Sequence, residues 1–239
     1  HGILKARSHA LVCEAFIKGA QGQGLPRNPD YNGETQAGVG YFQRTIHRGW
    51  RQSTARAYLS SIPANLAVRT HAQATRILFD GKRAVGVSFT RGGPQGSAHT
   101  VGARREVVVC AGAINTPRLL QLSGIGPADQ LQALGLPVVQ ALAGVGAHLK
   151  DHFSVRIAGR VRHGSAITIN ELARVPRLWW QAARWLAGRP NILALSPSLV
   201  HFFWHSGLGD GLRPGLQGVF TPASYREGYV GQLDTYPGM

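Results

Sequence analysis

The stretch from Arg104 to Gly126, RREVVVCAGAINTPRLLQLSGIG, constrains this chain more than any other. Val107, Val108, Val109 and Cys110 follow one another without a polar break, which predicts a short strand over 106–110 buried on both faces, as in a parallel sheet. Ala111-Gly112-Ala113 then ends the strand with side chains small enough for a cofactor or a packed helix to approach the backbone. Asn115 and Thr116 are candidate N-caps, Pro117 suits the first helical turn, and Leu119, Leu120 and Leu122 supply an apolar face that ends at Ser123-Gly124. Strand, small-residue turn and helix N-terminus together aim free N–H groups and the positive end of a dipole at whatever anion lies above the turn. On these residues alone, an ordinary βα unit and a ligand-bearing one are both open.

The flanking sequence supplies the rest of a mixed fold. Ser8 to Gly19 has helical apolar spacing, residues 26–40 are dense in turn formers, Tyr41 to Ile46 suits a strand, and Ser53 can cap a helix running through Leu59. The 26–40 loop is long enough to be functional or a packed Ω-like connector. Strands are expected at Leu66–Thr70, Ala74–Phe79, Ala84–Thr90 and His99–Val101, with Asp80-Gly81 as a tight hairpin turn, so a meander interrupts two strands of parallel character. Pro127 to Leu134 reads as a short helix closed by Gly135, and Val138-Val139 as a short strand. From Phe153 the pattern changes to strands at 154–161, Leu195–Trp204 and Leu216–Phe220 around a helix from Pro176 to Ala187. The expected class is α/β (α+β), with a domain boundary near Asp151. The 176–187 helix, with three tryptophans and outward Arg177 and Arg184, reads as a core or lid helix, with contact to a membrane surface as the alternative.

Charge narrows the function classes. The formal net charge of +15 invites nucleic acid as a partner, but 22 of the 26 basic residues are scattered arginines with no run longer than Arg104-Arg105. No aromatic–basic interleaving accompanies them, so no nucleic-acid partner is expected. Cys13 and Cys110 read as small buried hydrophobes rather than a disulfide or metal framework, and no apolar run approaches 18 residues. Both point to a soluble, cytoplasmic protein. A first residue of His1 and a single methionine at Met239 suggest an internal piece of a longer protein.

Gly112 to Gly126, GAINTPRLLQLSGIG, resembles the second signature of the glucose-methanol-choline (GMC) flavoprotein oxidoreductases, and is most similar to choline dehydrogenase and alcohol dehydrogenase-like members. The spacing of Asn28-Pro29-Asp30, Asn32-Gly33, Gly38-Val39-Gly40, Arg51, Ser53 and Tyr58-Leu59 resembles the loop and helix after that family's first signature. Gly144 to His152, GVGAHLKDH, resembles its G-x-N-L-Q-D-H segment, with His148 and Lys150 in place of Asn and Gln. Residues 217–223 stand where the family has a strand lining the active-site cavity.

The resemblance implies residues 1–150 as a partial Rossmann-like FAD-binding domain with an inserted β-meander, and 151–239 as a partial antiparallel-sheet substrate domain. It implies FAD as cofactor, with the adenine at the backbone of Ala74 and further cofactor contacts at Ala111, Gly112 and Ala113. Gln217 and Phe220 become candidate substrate contacts; no catalytic residue and no metal ligand is assigned. The implied chemistry is hydride transfer from an alcohol, choline or a related one, to flavin, and onward to an electron acceptor. Cytoplasmic location, peripheral to the inner membrane face as a variant, goes with it. The G-x-G-x-x-G fingerprint is missing: Gly22-x-Gly24 is followed by Arg27, and Gly124-x-Gly126 by Asp129, where the third glycine belongs. An inactive remnant, a binding module or a lyase on the same scaffold is therefore the alternative. In isolation the chain is expected to aggregate or bind FAD poorly.

Overall fold

A computed structural model describes residues 10–93, 95–162, 167–196, 198–208, 211, 213–228 and 232–239. Ser8 of the first expected helix lies outside them. In chain order the elements are α1 (Ala10–Gly22), β1 (Gly38–Tyr41), β2 (Ile46–His47), β3 (Trp50–Arg51), α2 (Thr54–Tyr58), β4 (Ala72–Asp80), β5 (Arg83–Arg91), β6 (Ser97–Gly102), α3 (Gly112–Leu122), β7 (Ile125–Gly126), α4 (Ala128–Ala133), β8 (Gln140–Ala141), α5 (Ile169–Leu172), α6 (Arg177–Leu186), β9 (Val200–Trp204) and β10 (Leu216–Phe220). They form two compact units, one from the chain up to Ile62 together with the chain from Val155 onward, the other from Pro63–Ser154. The first unit thus joins the N-terminal stretch to the C-terminal one.

In the first unit, β9 is the central strand of an antiparallel sheet in the order β1-β9-β10. Successive side chains of a strand point to opposite faces, and β9 uses both. Val200 joins Cys13 and Ile17 of α1, Val39 and Phe220 in the core, where the ring of Phe16 stacks on Phe220 at 4.3 Å between centroids. His201 and Phe203 face the other way, against Tyr31 of the long loop. The loop folds back on β1: Val39 N–H donates to Pro26 O at 2.9 Å and Asn28 N–H to Val39 O at 2.9 Å. Asn28 holds the bend, its Nδ2 donating to the carbonyls of Thr35, Gln36 and Ala37 and its Oδ1 accepting from Asp30 N–H. An ion pair with both guanidinium nitrogens of Arg27 on Glu14, at 3.0 and 3.1 Å, ties the loop to α1.

In the second unit, β4, β5 and β6 form an antiparallel meander in sequential order, and α3 packs against β4. Ser123, the C-cap of α3, locks the two together: its Oγ accepts the N–H of Ile77 at 2.8 Å and donates to Leu119 O at 2.6 Å. β7, α4 and β8 make a short crossover with parallel pairing of Ile125 to Gln140 and Gly126 to Ala141.

The expected strands at Leu66–Thr70, 106–110 and 154–161 are absent as strands. The 106–110 run pairs with no strand among the described residues; Val108 is 74% exposed and Cys110 is exposed, not buried. A strand sheltered on both faces needs neighbours on each side, and apolar sequence cannot supply them. The strand expected at Val138-Val139 forms two residues later, at β8. The one expected over Tyr41–Ile46 does not form: β1 ends at Tyr41, β2 starts at Ile46, and 42–45 are loop. α3 begins earlier than the caps predict, at Gly112 with Ala111 as N-cap, so Asn115 and Thr116 lie inside the helix. Pro117, also inside, has no N–H to give the carbonyl of Ala113.

Candidate functional site

The first four N–H groups of an α-helix have no partner within the helix. With Ala111 as the N-cap of α3 these belong to Ala111, Gly112, Ala113 and Ile114, and Ala111 offers no side-chain acceptor. All four residues are exposed. Gly112 adopts φ +82°, where glycine is at ease, and no heavy atom stands within 4 Å of where its Cβ would be. The turn is open, strain-free only for glycine, and lined by unsatisfied donors at the positive end of the helix dipole.

From this turn a cavity of about 520 Å³ runs along α3 to the segment 144–149, with Ala113, Thr116, Arg118, Gln121, Gly146 and Leu149 among its walls. Gln121 fixes the opposite wall, its Nε2 donating to Val145 O at 3.1 Å. Gly146, at φ +79°, lets that amide come close; a Cβ there would lie 2.6 Å from Gln121 Nε2. His148 has φ +58°, a left-handed conformation in which Asn and His are both enriched. The residue that departs from the family pattern at this position therefore keeps the backbone shape that Asn would give.

The expected cofactor residues fall within one unit. Ala111, Gly112 and Ala113 form the open turn. Ala74 is exposed on β4, an edge strand that pairs with β5 on one side only, so half of its backbone groups point away from the sheet. The register shifts between Ala74 and Arg76, a bulge that frees further main-chain groups beside Ala74. Open donors, small residues and an unpaired strand edge suit an adenine–pyrophosphate group, and these residues fit FAD.

The candidate substrate residues lie in the other unit, on β10. Gln217 is exposed; Phe220 is 7% exposed and committed to the core by its stack on Phe16. His152 is exposed and lies 4.0 Å from the exposed Asp151 carboxylate through Nδ1. Sequence reading passes over Gln121 and Gly146, because a lone polar residue on a helix carries no periodic signal and a glycine declares its purpose only through its φ.

A family model described as GMC oxidoreductase matches residues 3–154, more than half of the chain. An oxygen-dependent choline dehydrogenase from Burkholderia thailandensis is 50% identical over 147 residues, which is 60% of this chain and 26% of that protein. The chain thus spans about a quarter of the length of the curated relatives it matches. Among solved structures, a formate oxidase from Aspergillus oryzae RIB40 shares the fold over 100% of this chain and 45% of its own, with a TM-score of 0.83 and 21% identity. An FAD-dependent oxidoreductase from Chaetomium thermophilum matches 80% of this chain and 34% of its own, with a TM-score of 0.69 and 25% identity. The signature on α3, the meander beside it and these matches lead to one conclusion: the chain belongs to the GMC oxidoreductases, flavoproteins that use FAD.

Proposed function

We propose that this chain carries the adenine end of the FAD site, and part of the substrate region, of an oxidoreductase acting on CH–OH groups, with choline or a related alcohol as substrate. The open N-terminus of α3 is the observation that carries the reading: the main-chain donors at 111–114, without partners in the helix, and a glycine turn with room above it. Bound FAD supplies the acceptor for the substrate's hydride. The N–H groups at 111–114 hold the pyrophosphate, with the Arg118 side chain along the same cavity adding positive charge. The main chain at Ala74 takes the adenine edge. Gln121 keeps the 144–147 turn in place against α3, so the far wall of the cavity is set before the cofactor arrives. Residues 151–239 furnish the substrate side, where Gln217 is the exposed polar candidate.

Anaerobic addition of choline to the FAD-loaded gene product that contains this chain is expected to bleach the flavin's visible absorption band. An unchanged spectrum with choline and with small primary alcohols contradicts the assignment.

A further inference from the structure

A cavity of about 540 Å³ in the first unit lies between the β2–β3 hairpin and α6, walled by Trp50, Arg51, Ser53, Arg56 and Trp185 and floored by the buried Ala194. Its volume falls within the usual range of small-ligand pockets, roughly 300–1,000 Å³. The two indole rings pack against each other, 4.2 Å between centroids at 42°, and together form one aromatic wall of the cavity. The guanidinium of Arg56 lies 5.8 Å from the centre of the Trp50 ring.

The walls are fixed. Gly49, at φ +75°, brings the hairpin against Arg189 O; a Cβ there would lie 2.8 Å from that oxygen. Asn191 bridges the same contact, its Nδ2 donating to Arg189 O and Gly49 O and its Oδ1 accepting from Ala194 N–H at 2.9 Å. Arg184 Nε donates to Pro190 O at 2.6 Å, pinning the end of α6 to the same loop. A ligand entering this cavity meets aromatic and main-chain walls that are already ordered.

Charge selects the ligand. Segments 48–56 and 184–195 hold five arginines, at 48, 51, 56, 184 and 189, and no Asp or Glu. Arg51 and Arg56 donate only to main-chain carbonyls, Leu195 O at 3.5 Å and Arg51 O at 3.4 Å, and neither has a carboxylate partner among the described residues. A pair of tryptophans elsewhere would suit a quaternary ammonium group, but this density of arginine repels one. Planar guanidinium forks match a carboxylate, and the wall made by the two indoles matches the face or edge of an aromatic ring.

We propose that this cavity binds an aromatic carboxylate, its ring against the wall made by Trp50 and Trp185 and its carboxylate on Arg51 and Arg56. Isothermal titration of the gene product that contains this chain with 2-naphthoate, 2-naphthylmethanol and benzyltrimethylammonium tests it. The expected result is saturable binding of 2-naphthoate at least about tenfold tighter than of the alcohol, and no binding of the ammonium. Arg56→Gln and, separately, Arg51→Gln each weaken naphthoate by about tenfold with an unchanged far-UV spectrum, since both residues are exposed and each gives up only one long hydrogen bond to a main-chain carbonyl. Equal binding of acid and alcohol, tighter binding of the ammonium, no saturable binding, or folded variants with unaltered affinity would each overturn the proposal.

Discussion

Gly40→Ala is expected to unfold the first unit's sheet at the β1–β9 seam, lowering stability by about 3 kcal/mol. Gly40 faces His201 across the β1–β9 pair, and partners directly opposite share a face of the sheet. On that face an alanine Cβ would overlap the carbonyl oxygen of Asn28 and lie 3.3 Å from His201 Nε2. The oxygen has nowhere to go. Asn28 is held by its own N–H on Val39 and by three side-chain bonds across the loop. Gly38, two residues earlier on the same face, meets Pro26 O in the same way, with a Cβ position 2.5 Å away. The glycines are therefore the reason the loop can lie flat on β1. Guanidinium denaturation followed by tryptophan fluorescence reads the effect, and an unchanged midpoint for Gly40→Ala would show that the loop does not pack as described.

The same face carries the second large effect. His201 has no exposed surface, and neither ring nitrogen has a hydrogen-bond partner. Tyr31, Phe42 and Phe203 surround it at ring distances of 4.3, 5.4 and 5.5 Å. Burial among these rings opposes the charged imidazolium and lowers its pKa from 6.5 to about 4. The unfolded chain then binds a proton before the folded one does. Stability is unaffected by this group above about pH 6.5 and falls as pH drops toward about 4, by as much as about 3 kcal/mol. Glu14, held below its usual 4.5 chiefly by the hydrogen bond from Arg27, adds its own loss only at lower pH. His201→Leu removes the charge that must be desolvated. Its unfolding midpoint should stay level between pH 6.5 and 4.5, where the parent falls, and parallel curves for the two would contradict the account.

Much of the fold can be read from local chemistry. α2 forms where Ser53 predicts it, with Ser53 Oγ accepting the N–H of Arg56 at 3.1 Å and Leu59 as C-cap. α6 runs between Pro176 and Ala187, α4 between Pro127 and Leu134, and β10 spans the expected Leu216–Phe220. Each of these depends on a cap, a turn residue or a period contained within the segment. The 106–110 run fails for the opposite reason, since its burial depends on neighbours that its own residues do not encode. The α3 start is missed because Ala111 lacks a capping side chain, the very property that leaves the turn open. His201 sits in an apolar run where no periodicity marks it, and Trp50 and Trp185 meet only through tertiary packing.

The central claim is that the turn at Ala111–Ala113 receives the pyrophosphate and the β4 edge at Ala74 the adenine of FAD. Ligand-observed NMR of the FAD-stripped gene product that contains this chain with ADP, the half of the cofactor that these residues would hold, tests it most directly. The account predicts saturable binding of ADP that added FAD displaces, and loss of the ADP signal in Gly112→Val, whose branched side chain cannot adopt φ +82° without strain. Absence of ADP binding, or binding that survives Gly112→Val unchanged, would contradict it.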